Sequence, residues 1–204
     1  RRAFTAPEGH VLLAVDYSQI ELRVMAHISE DATLMAAFAE GQDIHQATAA
    51  AVYDIEADDV SYEQRSFAKR VNFGLMYGMG AYRLARDSEL TLSEAEGFIK
   101  RYFERLPGVE RYIESTKQFA RDHGYVETLL GRRRNFPALQ QGSKSRTAAA
   151  EERAAINMPI QGTAADILKL AMIDLHRKLK ESALRATLIL QVHDELVLEV
   201  PETE

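Results

Sequence analysis

The chain has 204 residues, 46% hydrophobic and 27% charged, an ordinary globular composition with enough apolar residues for a proper core. It has no cysteine, which excludes a disulfide framework and a thiolate metal site, so any metal must take carboxylate or imidazole ligands. The formal net charge of −6 excludes a uniformly basic nucleic-acid binder, but residues 1–64 are strongly acidic and residues 65–134 net basic, which suits a metal site beside a phosphate-binding surface as well as a plain fluctuation of charge among solvated helices.

Arg1-Arg2-Ala3-Phe4 lacks the apolar stretch of a secretory signal, and no apolar run approaches the ~20 residues that span a bilayer, so a soluble protein of the reducing cytosol is expected. Val11-Leu12-Leu13-Ala14-Val15 has the pattern of a buried strand whose last residue, Asp16, emerges into a site. Ser18 is placed to cap a helix through about residue 27, with Glu21 three residues on as in a capping box. Helices are predicted over 32–40, stopping at Gly41, and over 45–53, followed by an acidic connector at 54–61. A helix over 63–77 ends at Gly78-Met79-Gly80, and two more, over 93–102 and 109–123, are separated by Pro107-Gly108; Gly124 ends the second.

Residues 125–130 read as a short strand or hairpin, 131–137 as a turn carrying Arg132, Arg133 and Arg134, and 140–146 as a polar loop. Helical pattern returns over 147–157, breaks at Pro159 and resumes over 163–180. Alternating strands at 188–192 and 195–200 flank His193-Asp194, a two-residue junction suited to a tight hairpin. With a strand first, helices between and strands last, and no repeat or linker, the expected class is α+β: one sheet with a large helical insertion.

Three constellations carry chemistry. In Asp16-Tyr17-Ser18-Gln19-Ile20-Glu21 an apolar strand delivers an acid at its edge; in Val192-His193-Asp194-Glu195-Leu196 three polar groups interrupt an apolar hairpin. Ionisable groups in such places cost several kcal/mol unless paired, solvated or metal-bound. If the strands are neighbours, Asp16 and Asp194 face one another as oxygen ligands for Mg²⁺; otherwise His193-Asp194 is an ordinary polar turn. On the helix over 63–77, Arg65, Lys69, Phe73 and Tyr77 form one stripe about a third of the circumference wide, while Phe67, Val71, Gly74 and Leu75 lie opposite and pack inward. Exposed cations at one end and exposed rings at the other suit a nucleotide, phosphates on the cations and sugar and base on the rings, although an amphipathic helix often carries Arg and Lys outward.

These stretches resemble the three motifs of family A DNA polymerases in order and spacing: Asp16 to Glu21 the first, Arg65-x3-Lys69-x7-Tyr77-Gly78 the second, His193-Asp194-Glu195 the third. Asp43-Ile44-His45, Thr128-x2-Gly131-Arg132 and Arg153-x3-Asn157-x3-Gln161-Gly162-Thr163 resemble bacterial polymerase I members in particular, so the similarity covers essentially the whole chain. The resemblance implies an antiparallel palm sheet with a helical fingers insertion: palm at 1–28, fingers at 29–154, palm again at 155–204. It also implies a piece of a longer protein, with thumb and exonuclease domains outside it, and hence weak or absent activity of the piece alone.

The resemblance further implies template-directed transfer of a nucleotide from a dNTP to a primer 3′-hydroxyl, in replication and repair, by a monomer of the bacterial cytoplasm associated with the nucleoid. Asp16, Asp194 and the Tyr17 carbonyl would hold two Mg²⁺ ions, one activating the 3′-hydroxyl and one stabilising pyrophosphate, with Glu195 an accessory acid. Gln19, His45, Arg65 and Lys69 would meet the triphosphate or its surroundings, and Lys69 would protonate pyrophosphate. Phe73 would lie against the deoxyribose, Glu21 would exclude a ribose 2′-hydroxyl, and Tyr77 would pack at the templating pair. Thr128, Arg132, Arg153, Asn157, Gln161 and His193 would line the primer-template, reading shape rather than sequence.

Family members usually carry Ser where Gly80 stands, and Gly there is expected to loosen the turn after the helix. Two rival readings are a metal-dependent nuclease and a DNA-binding module without chemistry. Asp54-Ile55-Glu56 has the acid-x-acid spacing of proofreading exonucleases but no preceding apolar strand, and a binding module has no need of Asp16, Lys69 and Asp194. Gly78-x-Gly80 lacks the strand and the third glycine of a dinucleotide fold.

Overall fold

The computed structural model describes residues 4–88, 90–140 and 145–204. Arg1, Arg2 and Ala3, and residues 141–144 of the expected polar loop, lie outside the described residues. In chain order the elements are β1 (His10–Asp16), α1 (Ile20–Ser29), α2 (Ala32–Ala39), α3 (Ile44–Tyr53), a single 3-10 turn (Ala57–Asp59), α4 (Tyr62–Met76), α5 (Ala81–Arg86), α6 (Leu92–Arg105), α7 (Pro107–His123), β2 (Tyr125–Glu127), β3 (Arg133–Asn135), α8 (Pro137–Gln140), α9 (Arg146–Glu181), β4 (Thr187–Val192) and β5 (Glu195–Pro201). The chain divides into two compact units, residues 1–21 with 163–204, and residues 22–162. The divisions fall within α1 and α9, the helices on which the expected divisions at 28 and 154 also fall.

The first unit holds an antiparallel three-stranded sheet of order β1-β5-β4, the class expected from the sequence. His10 pairs with Pro201 and Asp16 with Glu195 along β1 and β5; β4 pairs with β5 from Thr187 opposite Glu199 to Val192 opposite Glu195, with a bulge between Leu188 and Leu190. Central β5 buries Leu196 and Leu198. The buried β1 expected from its apolar run is not found: Val11, Leu13 and Val15 each keep about half of their surface, at 45%, 48% and 51%. The reason is position, since among the described residues β1 is an edge strand, hydrogen-bonded only to β5.

The second unit is helical, and local chemistry sets its helix starts. Asp31 and Asp43 accept from the first free N–H groups of α2 and α3, and Ser61 with Gln64, and Thr91 with Glu94, form capping boxes at α4 and α6. Pro107 opens α7, and Gly124, at φ +75°, closes it where a Cβ would be strained. Helix α1 starts at Ile20, behind Gln19, which has a left-handed φ of +56°. Helix α3 packs on α4, where Ala68, Val71 and Leu75 are buried, and Phe67 meets Phe98 edge to face at 4.9 Å. Ala120, Val126, Phe136, Leu139, Ala155 and Met158 form a core beneath the hairpin of β2 and β3, whose second strand takes Arg133 and Arg134 out of the expected turn.

Pro159 does not break α9, contrary to the expectation from sequence. Proline at 159 leaves the Ala155 carbonyl without its ladder donor, and in the same turn the Tyr112 hydroxyl donates to the neighbouring Ile156 carbonyl at 2.7 Å. The turn after α4 is also set differently from the expectation. Gly78 holds the left-handed φ of +70°, whereas Gly80 is extended, at φ −92° and ψ 170°, and is the N-cap of α5, a helix the sequence pattern did not predict.

Candidate functional site

In the sheet unit the candidate acids gather at one end of β1 and β5. The Tyr17 N–H donates to the Asp194 carbonyl at 3.1 Å, one step beyond the Asp16 to Glu195 pair, so the ladder runs on into the hairpin turn. Asp16 therefore stands opposite Glu195 in register rather than opposite Asp194, which occupies the two-residue turn with His193. His193 adopts φ +53°, and its carbonyl accepts from Gln191 Nε2 at 3.1 Å. Asp16, Tyr17 and His193 are exposed, and Gln19, Glu21, Asp194 and Glu195 half-buried.

The donor set here is carboxylate and carbonyl oxygen, the chemistry of a hard cation. Among the described residues no group of three or more His, Asp or Glu side chains forms a ready-made cage. The carboxylates of Asp16 and Asp194 and the carbonyl of Tyr17 are donors such a cation accepts.

In the helical unit the stripe on α4 is present, with one difference. Lys69 is exposed, but Arg65, Phe73 and Tyr77 are half-buried rather than open; Arg65 meets Asp43 and Phe73 meets His45, both at the start of α3. Phe73 and Tyr77 stack at 6.5 Å and 26°, and the His45 ring lies 5.8 Å from that of Phe73. Arg65 donates through Nε and Nη2 to Asp43 Oδ2 at 2.8 and 2.5 Å. Burial pushes the Asp43 carboxyl up, but the Arg65 hydrogen bond and the backbone N–H groups of Gln46 and His45 outweigh it and hold it below the usual carboxylate range. Burial pushes the His45 imidazole down; Asp43 opposes this, and the nearby Arg65 and Lys69 reinforce it.

Of the residues expected to line nucleic acid, Gln161, Arg132 and Arg153 are exposed and Asn157 half-buried with its Oδ1 unpartnered. Thr128 is buried: its hydroxyl accepts from the Arg132 N–H at 3.1 Å, and Arg132 Nη2 donates to the Gly162 carbonyl at 2.9 Å. The hairpin is thereby held on α9 at Gly162, where an added Cβ would lie 2.5 Å from Thr128 Cγ2. Asp54 of the acid-x-acid pair ends α3 in a left-handed conformation and is taken by Arg105 Nη2 at 2.5 Å, so the pair follows a helix rather than a strand. Sequence reasoning passed over two residues of this unit, Asn72, buried against His45, and Thr48, buried against Asn72; no periodicity marks them, only their polarity on the inner side of a helix.

Comparison with known proteins bears on all of this. The sequence profile of DNA polymerase family A matches residues 1–204. DNA polymerase I of Caldicellulosiruptor bescii is 51% identical over 204 residues, covering 100% of this chain and 24% of that protein. DNA polymerase I of Pseudomonas aeruginosa is 53% identical over 99% of this chain and 22% of its own length, and the thermostable DNA polymerase I of Thermus aquaticus 52% identical over 99% and 24%. The chain thus spans between a fifth and a quarter of the length of these relatives. Among solved structures, the POL domain of Pol1 from M. smegmatis, in complex with DNA primer-template and dNTP, superposes with a TM-score of 0.93 at 45% identity, covering 98% of this chain and 35% of that one.

Proposed function

Since the chain belongs to DNA polymerase family A, we propose that it carries the palm and fingers of a DNA-directed DNA polymerase, with the sheet unit as palm and the helical unit as fingers. The observation that carries this best is the Tyr17 N–H to Asp194 carbonyl hydrogen bond, which joins the first and third motifs at one sheet end and brings three carboxylates, Asp16, Asp194 and Glu195, into adjoining positions.

Asp16, Asp194 and the Tyr17 carbonyl would hold two Mg²⁺, whose chemistry there is to lower the pKa of the primer 3′-hydroxyl and to stabilise charge on the departing pyrophosphate. The chain's own groups do the rest. Arg65, Lys69, His45 and Gln19 receive the triphosphate; Lys69 gives a proton to the leaving pyrophosphate oxygen. Phe73 takes the deoxyribose against its face, Glu21 fills the space of a ribose 2′-hydroxyl, and Tyr77 packs at the templating pair, so that closure favours the correct pair. Arg132, Arg153, Asn157, Gln161 and His193 meet the primer-template, while Thr128 acts by fixing Arg132. Work as a monomer in replication and repair at the bacterial nucleoid belongs to the same reading; no described helix is long and apolar enough to cross a membrane.

The test is primer extension with Mg²⁺, a labelled primer-template and dNTPs, comparing the chain with its Asp194→Asn variant. Extension by the parent that is lost in the variant supports the reading. Extension that persists in the variant overturns the assignment of Asp194. If neither extends, nucleotide binding to both upholds the fingers assignment, and absence of nucleotide binding overturns it.

A further inference from the structure

Behind the phosphate-facing stripe lies a chain of hydrogen bonds between buried polar groups. His45, Thr48 and Asn72 are 3%, 2% and 1% exposed, deep enough that a polar atom left unpaired is costly. The Thr48 hydroxyl donates to the Ile44 carbonyl at 2.8 Å. Asn72 Nδ2 lies 3.0 Å from Thr48 Oγ1 and 3.2 Å from His45 Nδ1, and Asn72 Oδ1 has no partner among the described residues.

The direction of every bond in this chain follows from its far end. A backbone carbonyl can only accept, so Thr48 spends its one proton on Ile44. Its oxygen is then an acceptor toward Asn72, and the group facing it must be the amide NH₂. The second proton of the same NH₂ is directed to His45 Nδ1, which must therefore present a lone pair. An imidazole with a bare Nδ1 carries its proton on Nε2.

We propose that Asn72 is a positioning residue for His45: anchored through Thr48, its amide fixes the imidazole as the neutral Nε2–H tautomer, so that His45 meets an anionic ligand as an uncharged donor. The consequence for nucleotide rests on the reading of His45 as a triphosphate contact. Charged groups near the ring are Asp43 at the start of its own helix and Arg65 and Lys69 on α4; Phe73 faces it as an apolar ring. A third cation beside Arg65 and Lys69 would add repulsion, whereas a neutral N–H adds a hydrogen bond without it. Protonating Nδ1 would set an N–H against the Asn72 NH₂, and burial opposes the charge in the same direction.

The test is a long-range ¹H–¹⁵N imidazole correlation spectrum of the labelled, nucleotide-free 204-residue chain, with the His45 signals assigned by their loss in His45→Gln. The expected pattern is an unprotonated Nδ1 and a protonated Nε2, unchanged as pH falls from about 8 to the ordinary histidine value of about 6.5. In Asn72→Asp the carboxylate accepts from Nδ1–H, and His45 is expected to charge at higher pH than in the parent. In Thr48→Val, which frees the amide to turn, a mixture of tautomers is expected. An Nδ1–H tautomer or a tautomer mixture in the parent overturns the proposal, as does an Asn72→Asp variant that folds and leaves the His45 titration where it was. The parent spectrum needs neither a folded variant of the network nor nucleotide, so its outcome is independent of whether the chain extends a primer.

Discussion

Asp43 uses its two carboxylate oxygens for two different helices: Oδ1 accepts from the His45 and Gln46 N–H groups at the start of α3, and Oδ2 accepts from Arg65 on α4. One side chain thereby starts one helix and orients a cation on the next. The Arg65 side chain is 37% exposed, so the ion pair itself adds little to stability, and the cap is the larger contribution. Asp43→Ala is expected to cost about 1–2 kcal/mol and Asp43→Asn, which keeps a capping oxygen, less than about 1 kcal/mol. Urea denaturation with an unchanged m-value measures both; equal losses in the two variants would assign the effect to charge instead of to the cap.

Glu21 lies half-buried in the first turn of α1, directly behind the left-handed Gln19. If its side chain fills the space of a sugar 2′-hydroxyl, Glu21→Ala raises ribonucleotide over deoxynucleotide incorporation by roughly ten- to a hundredfold, the range for a pocket that gains or loses one small group. Single-nucleotide insertion with each sugar gives the ratio, and an unchanged ratio removes Glu21 from sugar selection.

Gly80 is the N-cap of α5, in an extended backbone with nothing within 4 Å of an added Cβ and no side chain to cap the helix. Gly80→Ser meets no steric obstacle, supplies a capping hydroxyl and narrows the unfolded ensemble. A gain of about 0.5–1 kcal/mol is expected. A loss of stability in thermal or urea denaturation would contradict the extended conformation at residue 80.

Much of this was legible in the sequence because it depends on short-range pattern. The stripe from Arg65 to Tyr77 follows from helical spacing, and the hairpin at His193-Asp194 from two alternating runs with a two-residue gap. What was not legible depends on partners far along the chain. Pro159 reads as a break, and the side chain that reaches the turn before it, Tyr112, bonds Ile156 from 44 residues earlier in the chain than Ile156. Val11, Leu13 and Val15 read as buried because apolarity does not tell an edge strand from a central one. Asn72 is one more polar residue on a helix until folding sets it against His45 and Thr48 of α3, 27 and 24 residues away.

Acid should destabilise the chain in two steps that these same residues set. His45 has its folded pKa lowered, first by burial, with Asp43 opposing and Arg65 and Lys69 reinforcing the shift. Between its unfolded value of about 6.5 and the lower folded value, the unfolded chain binds a proton that the folded chain refuses, so stability is full above this window and falls as pH drops through it. For Asp43 burial raises the pKa, but Arg65 and the α3 N–H groups lower it by more, and its contribution, full above the unfolded value of about 3.9, is lost as pH falls through the folded value. Urea midpoints measured against pH for the parent, His45→Gln and Asp43→Asn separate the two. His45→Gln should flatten the upper step and leave the lower, and Asp43→Asn should leave the upper and weaken the lower, to which the lowered carboxyls of Asp87, Glu94 and Asp174 also contribute. An upper step that survives His45→Gln would place the titration on another of the six histidines.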